Sequence, residues 1–211
     1  MEPLRIDVWS DVVCPWCRIG MAELDRAIAD FGQPVEVVLR AFELDPGAPA
    51  VPTESTVEHL QRKYGVSAEQ VEGMLDDVRE RGATVGLDFR FDLARGGNTF
   101  DAHRLLHLAA AHGRQADLAE RLFTAAFVDG VAVGDLSELE RIGVESGLPD
   151  HEVRDVLAGD RYADAVRQDE QQAREYQIGG VPFFVIDGRL GVGGAQPAAA
   201  LVSALQQAAS S

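Results

Sequence analysis

Two cysteines stand three positions apart near the start of the chain. Cys14 and Cys17 enclose Pro15 and Trp16, and the sequence contains no other cysteine. Two thiols at this spacing can exchange disulfides, can supply half of a metal site, or can be ordinary buried side chains. The secondary structure predicted around the pair distinguishes among these alternatives.

The segments on either side of the pair predict a strand, a helix and a second strand. Residues 4–9 alternate apolar and polar side chains as a half-buried strand does, and residues 35–42 also have a strand pattern. Between them, apolar residues follow helical spacing up to Phe31, and Gly32 is a stop signal. Pro15 suits the first turn of this helix, where a missing N–H costs nothing. The first 45 residues therefore predict a βαβ unit with both cysteines at the helix start.

A CxxC pair that follows a strand and opens a helix is typical of a thioredoxin-like redox site. Unpaired backbone N–H groups and the positive end of the helix favour a thiolate at the first position. We therefore assign Cys14 as the nucleophile that forms a mixed disulfide, and Cys17 as the resolving thiol that displaces the substrate. In the reverse direction, the same pair oxidises a substrate dithiol.

The middle of the chain has a helical pattern that begins after a proline-rich loop. Helical periodicity predicts seven helices, near 54–64, 67–82, 99–112, 115–128, 136–146, 150–158 and 161–176. Ser67 with Gln70, and Ser137 with Glu140, have the spacing of a capping box at a helix start. Residues 87–92 are interpreted as an extended connector.

The end of the chain returns to a strand pattern. Residues 181–194 predict two strands joined at Asp187-Gly188, because Asp-Gly readily adopts the positive φ angles of a tight turn. Pro197 lies near the first turn of a final helix. We therefore expect an α/β protein with a thioredoxin-like fold interrupted by an all-helical insertion domain. The expected boundaries are residues 1–45 and 165–211 for the split thioredoxin-like domain and 46–164 for the insertion.

A proline opposite the cysteines offers a check on this fold. Thioredoxin-like sites need a proline, usually cis, at the start of the strand that faces the pair, and Val181-Pro182 stands there. A proline is also tolerated at the first residue of other strands. From the topology we predict a cis Val181-Pro182 bond. The exposed Val181 backbone would let an extended substrate pair beside Cys14 as an added strand.

The composition limits the partners. Of 211 residues, 46% are hydrophobic and 26% are charged, and the net charge of −16 opposes binding to nucleic acid or to anionic membranes. No apolar run approaches the roughly 20 residues of a membrane span, and the N-terminus lacks a secretory pattern. We therefore expect a cytoplasmic protein. In that reducing compartment a reactive or metal-binding pair is favoured over a structural disulfide.

Three motifs together resemble the DsbA family of thioredoxin-fold oxidoreductases. They are DVVCPWCRIG at 11–20, NTFDAHRL at 98–105 and GVPFFVIDGRLGVGGAQP at 180–197, in the family's order. The chain is most similar to the cytoplasmic FrnE-like branch, which is related to 2-hydroxychromene-2-carboxylate isomerases and kappa-class glutathione transferases. The resemblance covers nearly the whole chain. It implies a thioredoxin fold split by a helical domain and disulfide exchange at Cys14 and Cys17.

The isomerase and transferase relatives leave a second hypothesis open. They carry serine where this chain has Cys14 and use it to hold a glutathione thiol, so cysteine there favours a protein disulfide oxidoreductase. Its redox-active disulfide would need no other cofactor, with glutathione as an optional co-substrate. Expected partners are protein or small-molecule thiols and disulfides, and the chain would be a monomer or homodimer. The alternatives are a glutathione-dependent isomerase or transferase of a small aromatic or polyketide-type substrate, and a zinc-binding or structural helical protein.

Further side chains are candidates for the site. The predicted substrate contacts are Pro15, Trp16, Asn98, Thr99, His103, Val181 and Pro182, and no metal site is predicted. Trp16 is interpreted either as a substrate contact or as an exposed cap on the helix. Asn98 suits a helix-capping role, while the resemblance places it with Thr99 over Cys14.

Two histidines and three carboxylates have open roles. His103 and His107 share a helix face, so a zinc site with the two cysteines is one interpretation, and a His103 that helps hold a thiolate is another. Asp7, Asp11 and Glu43 lie near the ends of the first two strands. One of them could accept the proton of the resolving thiol, but we expect each to be a solvated strand end.

Overall fold

A four-stranded sheet and nine helices make up residues 3–210, the part of the chain that the computed structural model describes. The strands are β1 (Leu4–Ser10), β2 (Val35–Ala41), β3 (Phe183–Ile186) and β4 (Leu190–Gly193). The helices are α1 (Pro15–Phe31), α2 (Thr56–Tyr64), α3 (Ala68–Ala83), α4 (Phe100–Ala111), α5 (Gln115–Phe127), α6 (Leu136–Glu145), α7 (Asp150–Ala158), α8 (Ala163–Glu175) and α9 (Ala198–Ala209). The expected α/β class is confirmed. The division at residues 45 and 165 stays a prediction.

The sheet has the strand order β2-β1-β3-β4, and β1 lies at its centre. β1 runs parallel to β2 and antiparallel to β3, so that Val8 pairs with Leu39 on one side and with Phe184 on the other. Trp9, near the end of β1, pairs with Phe183, the first residue of β3. The cysteine motif that follows β1 and the proline that precedes β3 therefore meet at one end of the sheet.

The seven helices predicted between the sheet halves are all present as α2–α8. Every end lies within two residues of its predicted position. The Ser67–Gln70 capping box is confirmed. The Ser137 capping box is wrong: Asp135 is the N-cap, and its carboxylate accepts the Ser137 N–H. An aspartate two residues upstream competes successfully for the same backbone donors.

The remaining local predictions concern the connector and the hairpin. Residues 87–92 contain no strand, and Phe89 and Phe91 from this segment stack on each other while both pack edge-on against Phe127. Asp187 and Gly188 adopt φ angles of 53° and 67° in the turn between β3 and β4, as predicted. Within residues 3–210, no helix is long and apolar enough to span a membrane.

Side chains from the helices cover the outer edge of β2. The Gln115 amide accepts the Leu39 N–H at 2.9 Å and donates to the Leu39 carbonyl at 3.1 Å, as a neighbouring strand would. The Asp169 carboxylate accepts the Ala41 N–H at 3.0 Å. These bonds satisfy backbone groups of an edge strand. They also tie α5 and α8 to the sheet. Most buried apolar residues form one core, and a second, smaller cluster consists of Trp9, Ala173, Ile178 and Val185.

Candidate active site

Both cysteines lie at the start of α1, directly after β1. Cys14 is the N-cap residue, with an extended backbone (φ −97°, ψ 111°), and Pro15 is the first helical residue. The N–H groups of Cys17 and Arg18 donate to the Cys14 carbonyl at 3.0 and 3.3 Å. The predicted placement of the pair at a helix start is therefore confirmed. Cys14 therefore lies where the first backbone N–H groups of a helix have no partner within the helix.

The two thiols are free and differ in access to solvent. Cys14 retains 5% of its surface, whereas Cys17 is fully buried. The Cys14 thiol lies 3.7 Å from the Val181 carbonyl, to which it donates. An incoming disulfide can therefore reach Cys14 first, while Cys17 stays beneath it. This agrees with Cys14 as the nucleophile and Cys17 as the resolving thiol, roles that stay predictions at this point.

The surroundings of Cys17 keep its thiol protonated. Burial raises the pKa of Cys17 well above its usual range, and the neighbouring Cys14 raises it further. The Asp11 N–H, which donates to Cys17 Sγ at 3.5 Å, and the Ser10 hydroxyl act in the opposite direction without cancelling the effect. Because disulfide exchange requires the thiolate, Cys17 needs a proton acceptor at the moment it reacts.

The strand that faces the cysteines begins at Pro182. The Val181-Pro182 peptide bond is cis, as predicted. Gly20 on α1 lies directly against this proline, since a Cβ atom at Gly20 would stand 2.8 Å from Pro182 Cγ and 3.3 Å from Phe184 Cζ. The absence of a side chain at Gly20 therefore lets the cysteine helix approach the facing strand.

Gly20→Ala is expected to lower the free energy of unfolding by about 1–3 kcal/mol, because the added methyl group overpacks the contact with Pro182. The matched control is Gly73→Ala in α3, where a Cβ meets nothing within 4 Å. That change is expected to stabilise the protein by up to about 1 kcal/mol through helix propensity. Urea denaturation of both variants measures the difference, and equal effects of the two would contradict the close packing.

The carboxylates at the strand ends are buried or paired, so the expectation of solvated strand ends is wrong. Asp11 is fully buried and accepts the Leu44 N–H at 2.8 Å. Glu43 is buried against Arg167 at 2.5 Å, and burial raises the pKa of Glu43 despite this partner. The chain after β2 folds back over the strand ends and covers both carboxylates.

Asp7 is also largely buried, although it lies in the middle of β1 and not at its end. Its carboxylate accepts hydrogen bonds from Arg5 at 3.0 Å and from Arg40 at 2.8 Å. Burial opposes ionisation, but these two hydrogen bonds outweigh it and lower the pKa of Asp7. Asp7 is therefore an ion-paired residue of the sheet.

Asn98 satisfies a backbone donor at the start of α4. Its side-chain oxygen accepts the Phe100 N–H at 3.0 Å, and its amide donates to the Pro46 carbonyl at 3.0 Å and to Glu43 at 3.4 Å. The predicted capping hydrogen bond is therefore confirmed, although Thr99 is the N-cap residue and makes no side-chain cap. Trp16 is 39% exposed. Substrate contacts of these residues stay predictions.

His103 and His107 both line a cavity of about 10 Å³, together with Ser10. His107 Nε2 lies 2.9 Å from the Asp169 carboxylate. His103 is buried, and no hydrogen-bond partner of its Nε2 is found within residues 3–210. Over the same part of the chain, no group of three or more His, Cys, Asp or Glu residues is arranged to hold a metal ion.

Three polar residues near the site were not anticipated, of which Ser10 and Asp169 are buried and Arg40 is partly buried. Ser10 ends β1, Arg40 bridges Asp7 and Asp169, and Asp169 lies on the inner face of α8 with Val166 and Ala173. A carboxylate in register with the apolar residues of an amphipathic helix is a signal that could have identified Asp169. Ser10 gives no comparable signal, since serine is common at strand ends.

Comparisons with known proteins show where this arrangement recurs. Residues 5–206 match the model of a family described as "DSBA-like thioredoxin domain". The structure named "probable DsbA oxidoreductase SCO1869" of Streptomyces coelicolor is 43% identical, with a TM-score of 0.92 over 98% of this chain and 90% of that chain.

Two further matches are more distant. The protein YwbO of Bacillus subtilis (strain 168), which is uncharacterized, is 28% identical over 185 residues, which cover 87% of this chain and 86% of YwbO. The cytosolic disulfide reductase DsbM of Pseudomonas aeruginosa, solved with GSH, is 18% identical and has a TM-score of 0.67 over 96% of this chain and 100% of its own. At that identity DsbM shows a shared fold alone.

Proposed function

Because the chain belongs to the family of DSBA-like thioredoxin domains, we propose that it is a thiol–disulfide oxidoreductase that reacts through Cys14 and Cys17. The family predicted from the three sequence motifs is thereby confirmed. The observation that carries the proposal is the pair itself: a partly accessible thiol at a helix N-terminus with a fully buried thiol one turn behind it. This geometry supports sequential attack by the two sulfurs.

The proposed reaction transfers two electrons from the pair to a substrate disulfide. The Cys14 thiolate attacks one substrate sulfur, a bond forms between them, and the other substrate sulfur leaves as a thiolate. Cys17 then loses its proton and attacks Cys14 Sγ, which releases the first substrate sulfur as a second thiolate. The protein ends with a Cys14–Cys17 disulfide, and the same steps in reverse oxidise a substrate dithiol.

An extended substrate would bind beside the Val181 carbonyl. This carbonyl lies 3.7 Å from Cys14 Sγ, and Trp16, two residues after Cys14, is exposed. We propose backbone pairing with Val181 and apolar contact with Trp16 as the main substrate interactions. The other proposed contacts are Pro15, Asn98, Thr99, His103 and Pro182.

Glutathione is proposed as a co-substrate that restores the reduced pair. The fold shared with DsbM, which was solved with GSH, supports this proposal together with the demand for a thiol to regenerate Cys14. In a reducing cytoplasm, the expected compartment, the protein would act as a reductase or isomerase of disulfides. Its other partners would be protein or small-molecule thiols and disulfides, bound by a monomer or homodimer.

The reduction potential of the pair tests the proposal. We expect the purified protein to equilibrate between dithiol and disulfide across a series of glutathione redox buffers, and to accelerate the reduction of a model protein disulfide. Alkylation and mass spectrometry measure the fraction of each form. A pair that does not equilibrate and gives no acceleration contradicts the proposal. Turnover of a glutathione adduct of an aromatic substrate, with the thiol count unchanged, would instead assign an isomerase.

A further inference from the structure

The proton of Cys17 has no direct exit to solvent. Cys17 is fully buried, and the proposed reaction requires it to lose its proton when it attacks the mixed disulfide on Cys14. A group next to Cys17 must therefore accept that proton in the interior of the protein. This requirement rests on the proposed function. The residues around Cys17 indicate which groups could accept the proton.

Besides Cys14, two polar groups act on the Cys17 thiol, and they differ in what they can accept. The backbone N–H of Asp11 lies 3.5 Å away and can only donate. The Ser10 hydroxyl, which is also buried, can accept a proton while it passes its own to another group. Ser10 therefore links the surroundings of Cys17 to the cavity that it also lines.

Beyond Ser10 lies the small cavity that His103 also lines. Its volume of about 10 Å³ is close to that needed for one water molecule, and its wall is polar enough to hold one. Within the described residues, His103 Nε2 is a buried nitrogen without a hydrogen-bond partner. A buried nitrogen atom of this kind calls for a functional explanation.

We infer that Ser10 and one water in this cavity carry the proton of Cys17 to His103 Nε2 during resolution of the mixed disulfide. In the Nδ1–H tautomer, Nε2 offers a lone pair to receive it. The Cys17 sulfur bonds to Cys14, the substrate sulfur leaves with the electron pair of the broken bond, and the proton moves to the imidazole. His103 then acts through Ser10, as a positioning residue. The same route returns the proton when the protein disulfide is reduced.

Charged groups lie close to His103. Asp11 Oδ1 lies 3.7 Å from Nε2, so a carboxylate faces the nitrogen that would receive the proton. The other charged or titratable groups that line the cavity are Arg40 from β2 and His107 from α4. Both are engaged by Asp169 of α8, at 3.0 and 2.9 Å. The positive charge of Arg40 is therefore paired with Asp169 and is not directed at His103.

Stopped-flow reaction of the reduced protein with Ellman's reagent tests the inference. The first thiolate release reports attack by Cys14 and depends on reagent concentration, whereas the second reports attack by Cys17 and does not. Ser10→Ala and His103→Gln are expected to slow the second phase on the order of 10²-fold near neutral pH, since a general base is lost. The first phase should keep its wild-type rate in both variants, because Cys14 attacks without this route.

Controls separate this outcome from a structural effect. His112→Gln alters an exposed histidine at the end of α4 that pairs with Glu152, and it should leave both phases unchanged. The double variant should be no slower than the slower single variant, because both residues serve one route. A second phase that matches wild type in Ser10→Ala, or a first phase that is slowed by the same factor as the second, overturns the inference. Loss of the first phase in wild-type protein would instead contradict the proposed function.

Discussion

Cys14→Ser is expected to abolish catalysed disulfide reduction, with a loss of roughly 10³-fold or more, because removal of the nucleophile removes the covalent route. A serine hydroxyl has the size of the thiol but is not ionised near neutral pH and does not exchange with disulfides. The fold should be unaffected, since the side chain lies at the helix N-cap, where serine is favoured. A peptide disulfide with a quenched fluorophore gives the rate.

Cys17→Ser is the matched control for this experiment. It leaves Cys14 able to attack but removes the thiol that resolves the intermediate, so the protein should stop at a mixed disulfide. Mass spectrometry should then show one substrate adduct per chain, and the adduct should be absent from Cys14→Ser. Full activity of Cys14→Ser on a glutathione adduct would contradict the redox assignment and favour the isomerase alternative.

Arg104→Met is expected to lower the free energy of unfolding by about 3–5 kcal/mol, because it breaks a buried charged network. Arg104 is 3% exposed and donates to the carbonyls of Gly159 at 2.6 Å, Arg161 at 2.9 Å and Val156. These carbonyls lie at and beyond the end of α7, where helix acceptors have no partner in the helix itself. Methionine fills part of the volume but leaves all three acceptors unsatisfied.

Arg141→Met on α6 is the control for the loss of an arginine. Arg141 pairs with Glu138 at 2.7 Å and Glu145 at 2.8 Å, but its side chain is 41% exposed. Exposed ion pairs contribute little, so we expect a change within about 1 kcal/mol. Urea denaturation of both variants measures the contrast. Similar losses in the two variants would show that the buried carbonyl contacts do not carry the stability assigned to them.

The order of elements and the placement of the cysteines could be predicted because their signals are local. Alternation predicted the first strand, helical periodicity predicted α2–α8, and Asp187-Gly188 predicted the hairpin turn. The cis bond at Pro182 was predicted from the position of that proline in the topology. Each of these signals is contained in a short segment and agrees with the fold around it.

The burial of the carboxylates could not be predicted because it depends on distant segments. Asp11 is covered by the chain after β2, whose Leu44 N–H it accepts, and Glu43 is paired with Arg167 from α8. Nothing next to either residue in the sequence distinguishes it from a solvated strand end. His103 had an open role for the same reason, since the cavity that it lines is formed by β1, β2, α4 and α5.

The hydrogen bonds that cover the outer edge of β2 also show that the sheet depends on the helical segment. Gln115 supplies the Leu39 backbone with the two hydrogen bonds that a fifth strand would otherwise give. A shortened chain that joins residue 45 directly to residue 165 would lose this side chain and expose an open strand edge. Open edges pair with other chains, so excision would produce self-association rather than a minimal enzyme.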